Sequence, residues 1–278
     1  VAVLQYSHCI YGKTVLITGA SSGLGRCLTL KLIKEQNCKV IGVGISEEKM
    51  LSLKQELTYK SDSFSYFTFD VSVKENWHEL ANKFMLSNQQ VDLLINNAGM
   101  LPPFDKFFHY SEEMVEKCMD VNFNGPRYAI KEMMPILRKS TMSGIVNISS
   151  SDALAPIVGT SIYSASKAAL KAYTEALIGE IGREMYIAYV CPGFIKTDIF
   201  RNQYTVSNSR LIQMASTRVD KVSDKIIKKI CRQKSRIIVG KDAKFMNFTS
   251  KFFPTLGLKF YELIIKNSKI KMFENVSQ

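Results

Sequence analysis

The sequence predicts an α/β fold with a doubly wound parallel sheet of about seven strands, helices on both faces and extra helices at the C-terminal end. Three features support this fold class. Short apolar, β-branched segments alternate with longer helix-compatible segments, as expected for a parallel sheet covered on both faces. The first segment ends in a glycine-rich turn, and no repeat or low-complexity linker divides the chain. Right-handed crossovers then require a doubly wound single domain.

The elements can be placed in order along the chain. Strands are predicted at residues 13–19, 39–45, 65–70, 91–97, 143–150, 186–192 and 236–240. Helices are predicted at residues 23–36, 46–57, 73–87, 111–138 and 160–184, with two short helices within 242–270 broken by Pro254 and Gly257. We therefore expect an N-terminal extension over residues 1–12, a main domain over 13–240 and a helical extension over 241–278.

The composition excludes several classes of protein. With 46% hydrophobic and 22% charged residues among 278, the chain is neither disordered nor fibrous. The six cysteines and three histidines lie far apart, so neither a disulfide scaffold nor a metal site is expected. No apolar run of about 18 residues predicts a membrane span, and the first residues lack a secretory signal pattern. We expect an intracellular, cytoplasmic protein with reduced thiols.

The net charge of +12 is unevenly distributed. Residues 221–278 contain 14 Lys and Arg against 4 Asp and Glu, whereas residues 1–220 contain 23 against 21. The main domain is therefore nearly neutral, and no nucleic-acid partner is predicted.

The C-terminal extension interleaves lysines with aromatic and aliphatic residues between residues 241 and 273. This pattern suits a helix lying on a membrane surface, with its lysines near anionic headgroups. It also suits helices that pack on the domain or on a partner subunit, which is the favoured interpretation. Peripheral membrane contact stays open as the alternative, and Pro254, Gly257, Lys259 and Glu262 exclude a span.

The turn after the first strand reads TGASSGLG, from Thr18 to Gly25. Glycine permits a tight turn, a close backbone approach to a pyrophosphate and close packing of the next helix on the sheet. Phosphates are favoured at that helix N-terminus by free N–H groups and by the helix dipole. The alternative is a purely structural turn. Asp70, after the third strand, is a candidate acceptor for an adenine amino group or a cap for the helix beginning near Val71.

Further motifs follow in order as far as Thr197. They are NNAG at residues 96–99, Asn122, Ser150, YSASK at 163–167 and Pro192-Gly193 followed by Thr197. Together with TGASSGLG they resemble the short-chain dehydrogenase/reductase family over about two thirds of the chain. The resemblance implies a Rossmann-like fold and an oxidoreductase that transfers hydride between NAD(P) and a carbonyl or secondary alcohol. A non-catalytic NAD(P)-binding sensor or scaffold is the alternative, but it predicts a damaged catalytic set.

The resemblance also implies residue roles. The catalytic residues are Asn122, Ser150, Tyr163 and Lys167, with Ser149 and Ser151 as alternatives to Ser150. Tyr163 and Lys167 share one helix face, and the ammonium is expected to lower the tyrosine pKa from about 10. The implied cofactor-binding residues are Gly19, Ser21, Ser22, Gly23, Leu24, Gly25, Ser46, Asp70, Val71, Asn97, Ala98, Gly99, Tyr163, Lys167, Pro192, Gly193, Ile195 and Thr197. By itself, the Tyr–Lys pair would equally fit a solvated helix face.

The choice of dinucleotide depends on the end of the second strand. Family members that use NAD usually have an acidic residue there, whereas this chain has Gly44 and Ile45. Ser46 could donate to a 2′-phosphate, although Glu47 and Glu48 oppose one. NADP is therefore slightly favoured over NAD.

The substrate and the assembly are less closely defined. Apolar residues at 199–219, expected to form a lid, and Met100, Leu101 and Pro102 predict a bulky apolar carbonyl or alcohol substrate. The helices at 111–138 and 160–184 correspond to those through which family members pair. The first carries more apolar surface than one sheet face covers, so a homodimer or homotetramer is expected.

Overall fold

Seven parallel strands form one sheet in the described part of the chain. The computed structural model describes residues 10–195, 217–267 and Val276. Its strands are β1 (Thr14–Thr18), β2 (Lys39–Gly44), β3 (Phe64–Thr68), β4 (Leu93–Asn96), β5 (Gly144–Ile148), β6 (Tyr186–Pro192) and β7 (Arg236–Val239). Their order is β3-β2-β1-β4-β5-β6-β7, which confirms the doubly wound α/β class. Because β1 pairs with both β2 and β4, a ligand crevice is expected beyond its carboxyl end.

Helices lie between these strands and after β7. They are α1 (Gly23–Lys34), α2 (Glu47–Glu56), α3 (Lys74–Leu86), α4 (Glu112–Met119), α5 (Gly125–Leu137), α6 (Ser161–Ile181), α7 (Val219–Cys231), α8 (Lys241–Phe252) and α9 (Pro254–Asn267). One apolar cluster joins the sheet to α1, α2 and α7, through residues such as Leu32 and Ile226. Another joins it to α3, α5 and α6, through residues such as Trp77 and Met133. Both faces of the sheet are therefore covered.

Two details differ from the sequence-based expectation. The predicted helix over 111–138 is divided, because a wider π-helical turn at Asp120–Asn124 separates α4 from α5. Pro254 does mark the break between the last two helices, but Gly257 lies inside α9. A Cβ atom on Gly257 would lie 3.2 Å from the Cβ of Thr249, so this glycine permits close packing of α9 on α8.

The apolar surplus expected on the first of the pairing helices is smaller than predicted. Ile130 and Met133 are buried in the core of the single chain. Met114, Val115 and Met119 are only partly exposed.

Among the described residues, no helix combines the length and the apolar character that a membrane crossing requires. No disulfide bond joins the cysteines that the structure describes.

Candidate active site

A cavity of about 720 Å³ opens at the carboxyl ends of β1, β4, β5 and β6. Most of the sequence-predicted site residues line it. These are Gly19, Ser22, Gly23, Leu24, Asn97, Ala98, Gly99, Ser150, Tyr163, Lys167, Pro192, Gly193 and Ile195. The cavity thus lies where the strand order predicts a ligand crevice.

The glycine-rich turn forms one end of this cavity. Gly19 has a φ of +64°, and a Cβ atom there would lie 2.9 Å from the Asn97 amide nitrogen. A Cβ on Gly25 would lie 2.1 Å from the Gly19 carbonyl oxygen, so only glycine lets α1 pack this closely against the turn. Ser22 precedes α1 without making a side-chain capping bond. The residues present therefore fit a dinucleotide, whose pyrophosphate is suited to this helix N-terminus.

Hydrogen bonds fix the NNAG segment beside the turn. The Thr18 hydroxyl accepts from the backbone N–H groups of Asn97 and Ala98, each at 2.9 Å. The Asn97 side-chain amide donates to the Thr18 carbonyl oxygen at 2.9 Å. The ends of β1 and β4 are thereby connected, and Gly99 is held at the cavity wall.

Asn122 lies behind this wall rather than in the cavity. It is fully buried in the π-helical turn, and its side chain pairs with the backbone of Met100 by two bonds of 2.9 Å. Its amide nitrogen also donates to the Ser166 hydroxyl at 3.0 Å. A Cβ on Gly99 would lie 3.0 Å from the Asn122 oxygen and 3.1 Å from Lys167 Nζ. The divided helix therefore positions the Gly99–Met100 loop above the lysine.

Lys167 and Tyr163 face the cavity from α6. Lys167 is buried and donates to the Ile148 carbonyl oxygen at 3.1 Å, and burial lowers its pKa to about 8. Burial also raises the pKa of Tyr163, and the charge of Asp152 raises it further. The expected lowering of the tyrosine pKa is therefore wrong for this arrangement. Desolvation outweighs the ammonium, whose nitrogen is 5.9 Å from the centre of the phenol ring.

Three serines follow β5, and their hydroxyl groups have different partners. The Ser149 hydroxyl donates to the Lys167 carbonyl oxygen at 2.8 Å. The Ser150 hydroxyl donates to an Asp152 carboxylate oxygen at 3.3 Å, and a side-chain hydrogen bond with Ser150 opposes the rise in the Tyr163 pKa. Ser151 also contacts Asp152. Among the three, Ser150 is therefore the hydroxyl associated with Tyr163.

Several predicted cofactor residues lie elsewhere. Ser21, Gly25, Ser46, Asp70 and Val71 are not among the residues that line the cavity. Asp70 accepts from the Ser72 backbone N–H at 2.9 Å and from the Ser72 hydroxyl at 2.7 Å, and so closes a turn. It does not cap α3, which begins at Lys74 with Val73 as its N-cap.

The Ser46 oxygen accepts from Lys49 N at 3.3 Å and so caps α2. Thr197 and the expected lid at 199–219, apart from residues 217–219, lie outside the described residues.

Other lining residues were not identified from the sequence. Lys49 and Ile45 border the cavity near the end of β2, and Phe104, Asp152 and Phe194 border its other end. The Ser46 cap offered a signal for Lys49, because a residue three positions after an N-cap lies in the first helical turn. Asp152 had a weaker signal, its place two residues after Ser150.

The Pro192–Ile195 loop is tied to the C-terminal helices. Phe194 N donates to a carboxylate oxygen of Asp242, in the first turn of α8, at 2.6 Å. A Cβ on Gly193 would lie 2.1 Å from the same oxygen. Glycine therefore permits Asp242 to approach this loop.

Comparisons with known proteins agree with this geometry. Residues 13–207 match the family described as short chain dehydrogenase, and the chain belongs to that family. It is thus an oxidoreductase that uses NAD(P). It is 31% identical over 200 residues to an NADPH-dependent pterin aldehyde reductase from Arabidopsis thaliana, covering 72% of this chain and 82% of the relative.

Epidermal retinol dehydrogenase 2 from Homo sapiens is 30% identical over 249 residues, covering 88% of this chain and 79% of the relative. Among solved structures, a short chain dehydrogenase/reductase from Burkholderia phymatum in complex with NAD has a TM-score of 0.78 at 22% identity. The match covers 90% of this chain and 96% of that one. This structural likeness supports the fold.

Proposed function

We propose that this enzyme interconverts a bulky, apolar carbonyl compound and its alcohol, with Asn122, Ser150, Tyr163 and Lys167 as the catalytic set. The observation that carries the proposal is the convergence of Ser150, Tyr163 and Lys167 on one end of a single cavity. The glycine-rich turn forms the other end. A substrate oxygen beside Tyr163 would thus lie within the same cavity as a bound dinucleotide.

Two residues of the chain have different roles at the substrate oxygen. Bound NAD(P) supplies the hydride or accepts it. The Ser150 hydroxyl hydrogen-bonds the substrate oxygen and stabilises negative charge there. Tyr163, whose raised pKa keeps it protonated near neutral pH, donates its proton to that oxygen in the reductive direction. In the oxidative direction it receives the proton.

Lys167, at the cavity wall, and Asn122, behind it, support this chemistry. With a pKa of about 8, Lys167 exchanges protons near neutral pH. It also provides donors for the cofactor ribose. Asn122 fixes the Met100 backbone and the Ser166 hydroxyl, and so holds the Gly99–Met100 loop next to the lysine.

We further propose that NADP is the preferred cofactor. Lys49 brings a positive charge to the cavity wall beside Ile45, where a 2′-phosphate would lie in this fold. Ser46, the other candidate for this contact, accepts from Lys49 N as the cap of α2 and does not line the cavity. The Arabidopsis relative is named as NADPH-dependent.

The apolar walls support the proposed substrate class. Leu101, Phe104 and Phe194 border the catalytic end of the cavity, and Met100 lies beside them. The two relatives are named for a pterin aldehyde and for retinol, which are an aldehyde and an alcohol attached to larger groups.

Turnover by a Tyr163→Phe variant tests the catalytic assignment. We expect steady-state oxidation of NADPH with a panel of bulky ketones and aldehydes to fall at least about 100-fold, because the proton donor is removed. Binding of NADPH, followed by its fluorescence, should be retained. Equal turnover in the two proteins would refute the assignment, and an absence of turnover with every substrate in the wild type would favour the sensor alternative.

A Lys49→Ala variant tests the cofactor assignment. An exposed ion pair contributes up to about 1 kcal/mol, so the KM for NADPH should rise up to about fivefold while the KM for NADH is unchanged. Lys54→Ala, in the same helix but away from the cavity, is the matched control. Equal effects on both cofactors would contradict the 2′-phosphate role of Lys49.

The remaining proposals concern assembly and location. We propose a homodimer or homotetramer formed through α4, α5 and α6. Light scattering that gives the 31.4 kDa mass of one chain at micromolar concentration would contradict it. We also propose an intracellular, reducing location, because widely separated cysteines are typical of proteins with reduced thiols.

A further inference from the structure

The last two helices carry an unusual amount of exposed apolar surface. Of the nineteen large apolar side chains that are exposed in the described part of the chain, nine lie on α8, on α9 or between them. They are Phe245, Phe248, Phe252, Phe253, Leu256, Leu258, Phe260, Leu263 and Ile264. We refer to these nine side chains as the hairpin surface. Exposed apolar patches of this kind mark interaction sites.

The hairpin surface is ordered along the helices. Phe245, Phe248 and Phe252 follow the i, i+3, i+7 spacing of one face of α8. Leu256, Phe260, Leu263 and Ile264 follow the corresponding spacing on α9. The rings of Phe245 and Phe260 lie 6.0 Å apart, so the two apolar stripes meet.

The opposite side of the same helices is buried against the catalytic end of the cavity. Met246 and Ile265 pack in one apolar cluster with Leu101 and Phe104, and Tyr163 and Phe194 border that cluster. These helices therefore have two apolar stripes, an inner one that packs on the domain and an outer one that is exposed. Packing on the domain accounts for the inner stripe and leaves the outer one without a function.

The charged residues of these helices indicate which kind of surface the outer stripe suits. Lys241, Lys244, Lys251, Lys259 and Lys266 lie on these two helices and are exposed. Of the two acidic residues in α8 and α9, Glu262 pairs with Lys266 at 2.7 Å and Asp242 holds the Phe194 backbone. Apolar side chains surrounded by lysines suit a surface that is apolar inside and anionic outside, which describes an anionic lipid bilayer.

We propose that the hairpin surface docks the enzyme on an anionic membrane, with its side chains in the headgroup region. A second copy of this chain fits less well, because two such surfaces would bring their lysines together. Docking would hold the catalytic end of the cavity beside the lipid, from which an apolar substrate could enter. This last consequence rests on the proposed function, whereas docking itself does not.

Vesicle co-sedimentation of the full chain, without cofactor or substrate, tests docking. The protein should bind phosphatidylcholine vesicles that contain phosphatidylserine, should not bind pure phosphatidylcholine, and should dissociate as salt is raised. Each lysine near an anionic surface contributes about fivefold to binding, so Lys244→Glu/Lys251→Glu/Lys259→Glu should weaken it at least about 100-fold. The control Lys34→Glu/Lys39→Glu/Lys54→Glu makes the same change in net charge on exposed lysines of α1, β2 and α2. It should weaken vesicle binding far less.

The apolar contribution has its own matched pair of variants. Phe248→Ser/Phe252→Ser should lower binding at least about tenfold, because two rings no longer enter the lipid. Tyr59→Ser/Leu86→Ser, at side chains that are 88% and 90% exposed elsewhere, should leave binding unchanged. All these variants should unfold cooperatively in urea like the wild type, which shows that they fold.

Three results would overturn the proposal. They are no binding to phosphatidylserine vesicles at low salt, equal loss in the hairpin and control variants, or self-association that disappears in Phe248→Ser/Phe252→Ser without any vesicle binding. None of these depends on turnover, so failure of the proposed reaction would be recognised separately.

Discussion

Replacing Asp152 with Asn is expected to stabilise the folded protein above about pH 6 but not near pH 4. Asp152 is 6% exposed, although it lies at the cavity wall. Among the described residues its partners are the hydroxyl groups of Ser150, Ser151 and Thr160, and no cation pairs with it. Burial therefore raises its pKa from the usual 3.8 to about 6, and these hydrogen bonds oppose the rise only partly.

The size of the effect follows from this pKa. One pKa unit of difference between the folded and unfolded states corresponds to about 1.4 kcal/mol, so an ionised Asp152 costs the folded state about 3 kcal/mol. Below about pH 4 the carboxyl is protonated in both states and the cost is absent. Between about pH 4 and 6 the folded state binds more protons than the unfolded state, so stability falls as pH rises. Above that range the cost is constant.

Urea denaturation at about pH 4.5 and about pH 8 measures this difference. The gain in unfolding free energy of Asp152→Asn over the wild type should be larger at the higher pH by about 2 kcal/mol, because about 1 kcal/mol of the cost is already present at about pH 4.5. Asp62→Asn, which neutralises an exposed carboxylate, is the control and should show no such pH dependence. A gain that is the same at both pH values, or that decreases as pH rises, would refute the reasoning.

The same variant connects stability to catalysis. The negative charge of Asp152 is the second largest cause of the raised pKa of Tyr163, after burial. Removing that charge should lower the tyrosine pKa and shift the alkaline limb of the pH–rate profile to lower pH. An unchanged profile with an altered stability would show that Asp152 does not influence the proton at Tyr163.

Two further substitutions test the close contacts around the cavity. Gly25→Ala should lower the unfolding free energy by about 3 kcal/mol or more and weaken NADPH binding, because its Cβ would lie 2.1 Å from the Gly19 oxygen. Gly179→Ala, in α6 with nothing within 4 Å, should instead stabilise by up to about 1 kcal/mol, and a similar effect of the two changes would contradict the packing argument. Asp242→Ala should raise the KM for NADPH and lower stability by about 2 kcal/mol, because Phe194 N loses a charged acceptor. Urea denaturation and steady-state kinetics measure both, and an unchanged KM would show that Asp242 does not position the loop.

The sheet could be predicted because its signals are local. Each strand is a short apolar segment, and each connecting helix is long enough for a crossover, so the doubly wound arrangement followed from handedness. The same locality applies at Gly19, where the tight turn needs a positive φ of 64°. Motif order also predicts that Ser150, Tyr163 and Lys167 lie together at one edge of the sheet, and all three line the cavity there.

Features that depend on burial could not be predicted in the same way. The helix pattern over 111–138 is continuous in sequence, and only the bonds between Asn122 and Met100 show why the chain widens into a π-helical turn there. The predicted direction of the tyrosine pKa shift is wrong, because the sequence shows the nearby lysine but not the burial of the phenol. The desolvation of the phenol and the nearby Asp152 charge both depend on the folded environment.

Two carboxylates illustrate how the site and the C-terminal helices depend on each other. Asp152 and Asp242 are distant in sequence, and both lie where a carboxylate is costly, since burial raises the pKa of each. Asp152 contacts the serine at the catalytic end, and Asp242 extends from α8 to hold Phe194 in the loop that forms another wall. Any displacement of α8, including one produced by contact with a membrane, would therefore act directly on the Pro192–Ile195 loop. The helices beyond β7 are in this sense a wall of the active site.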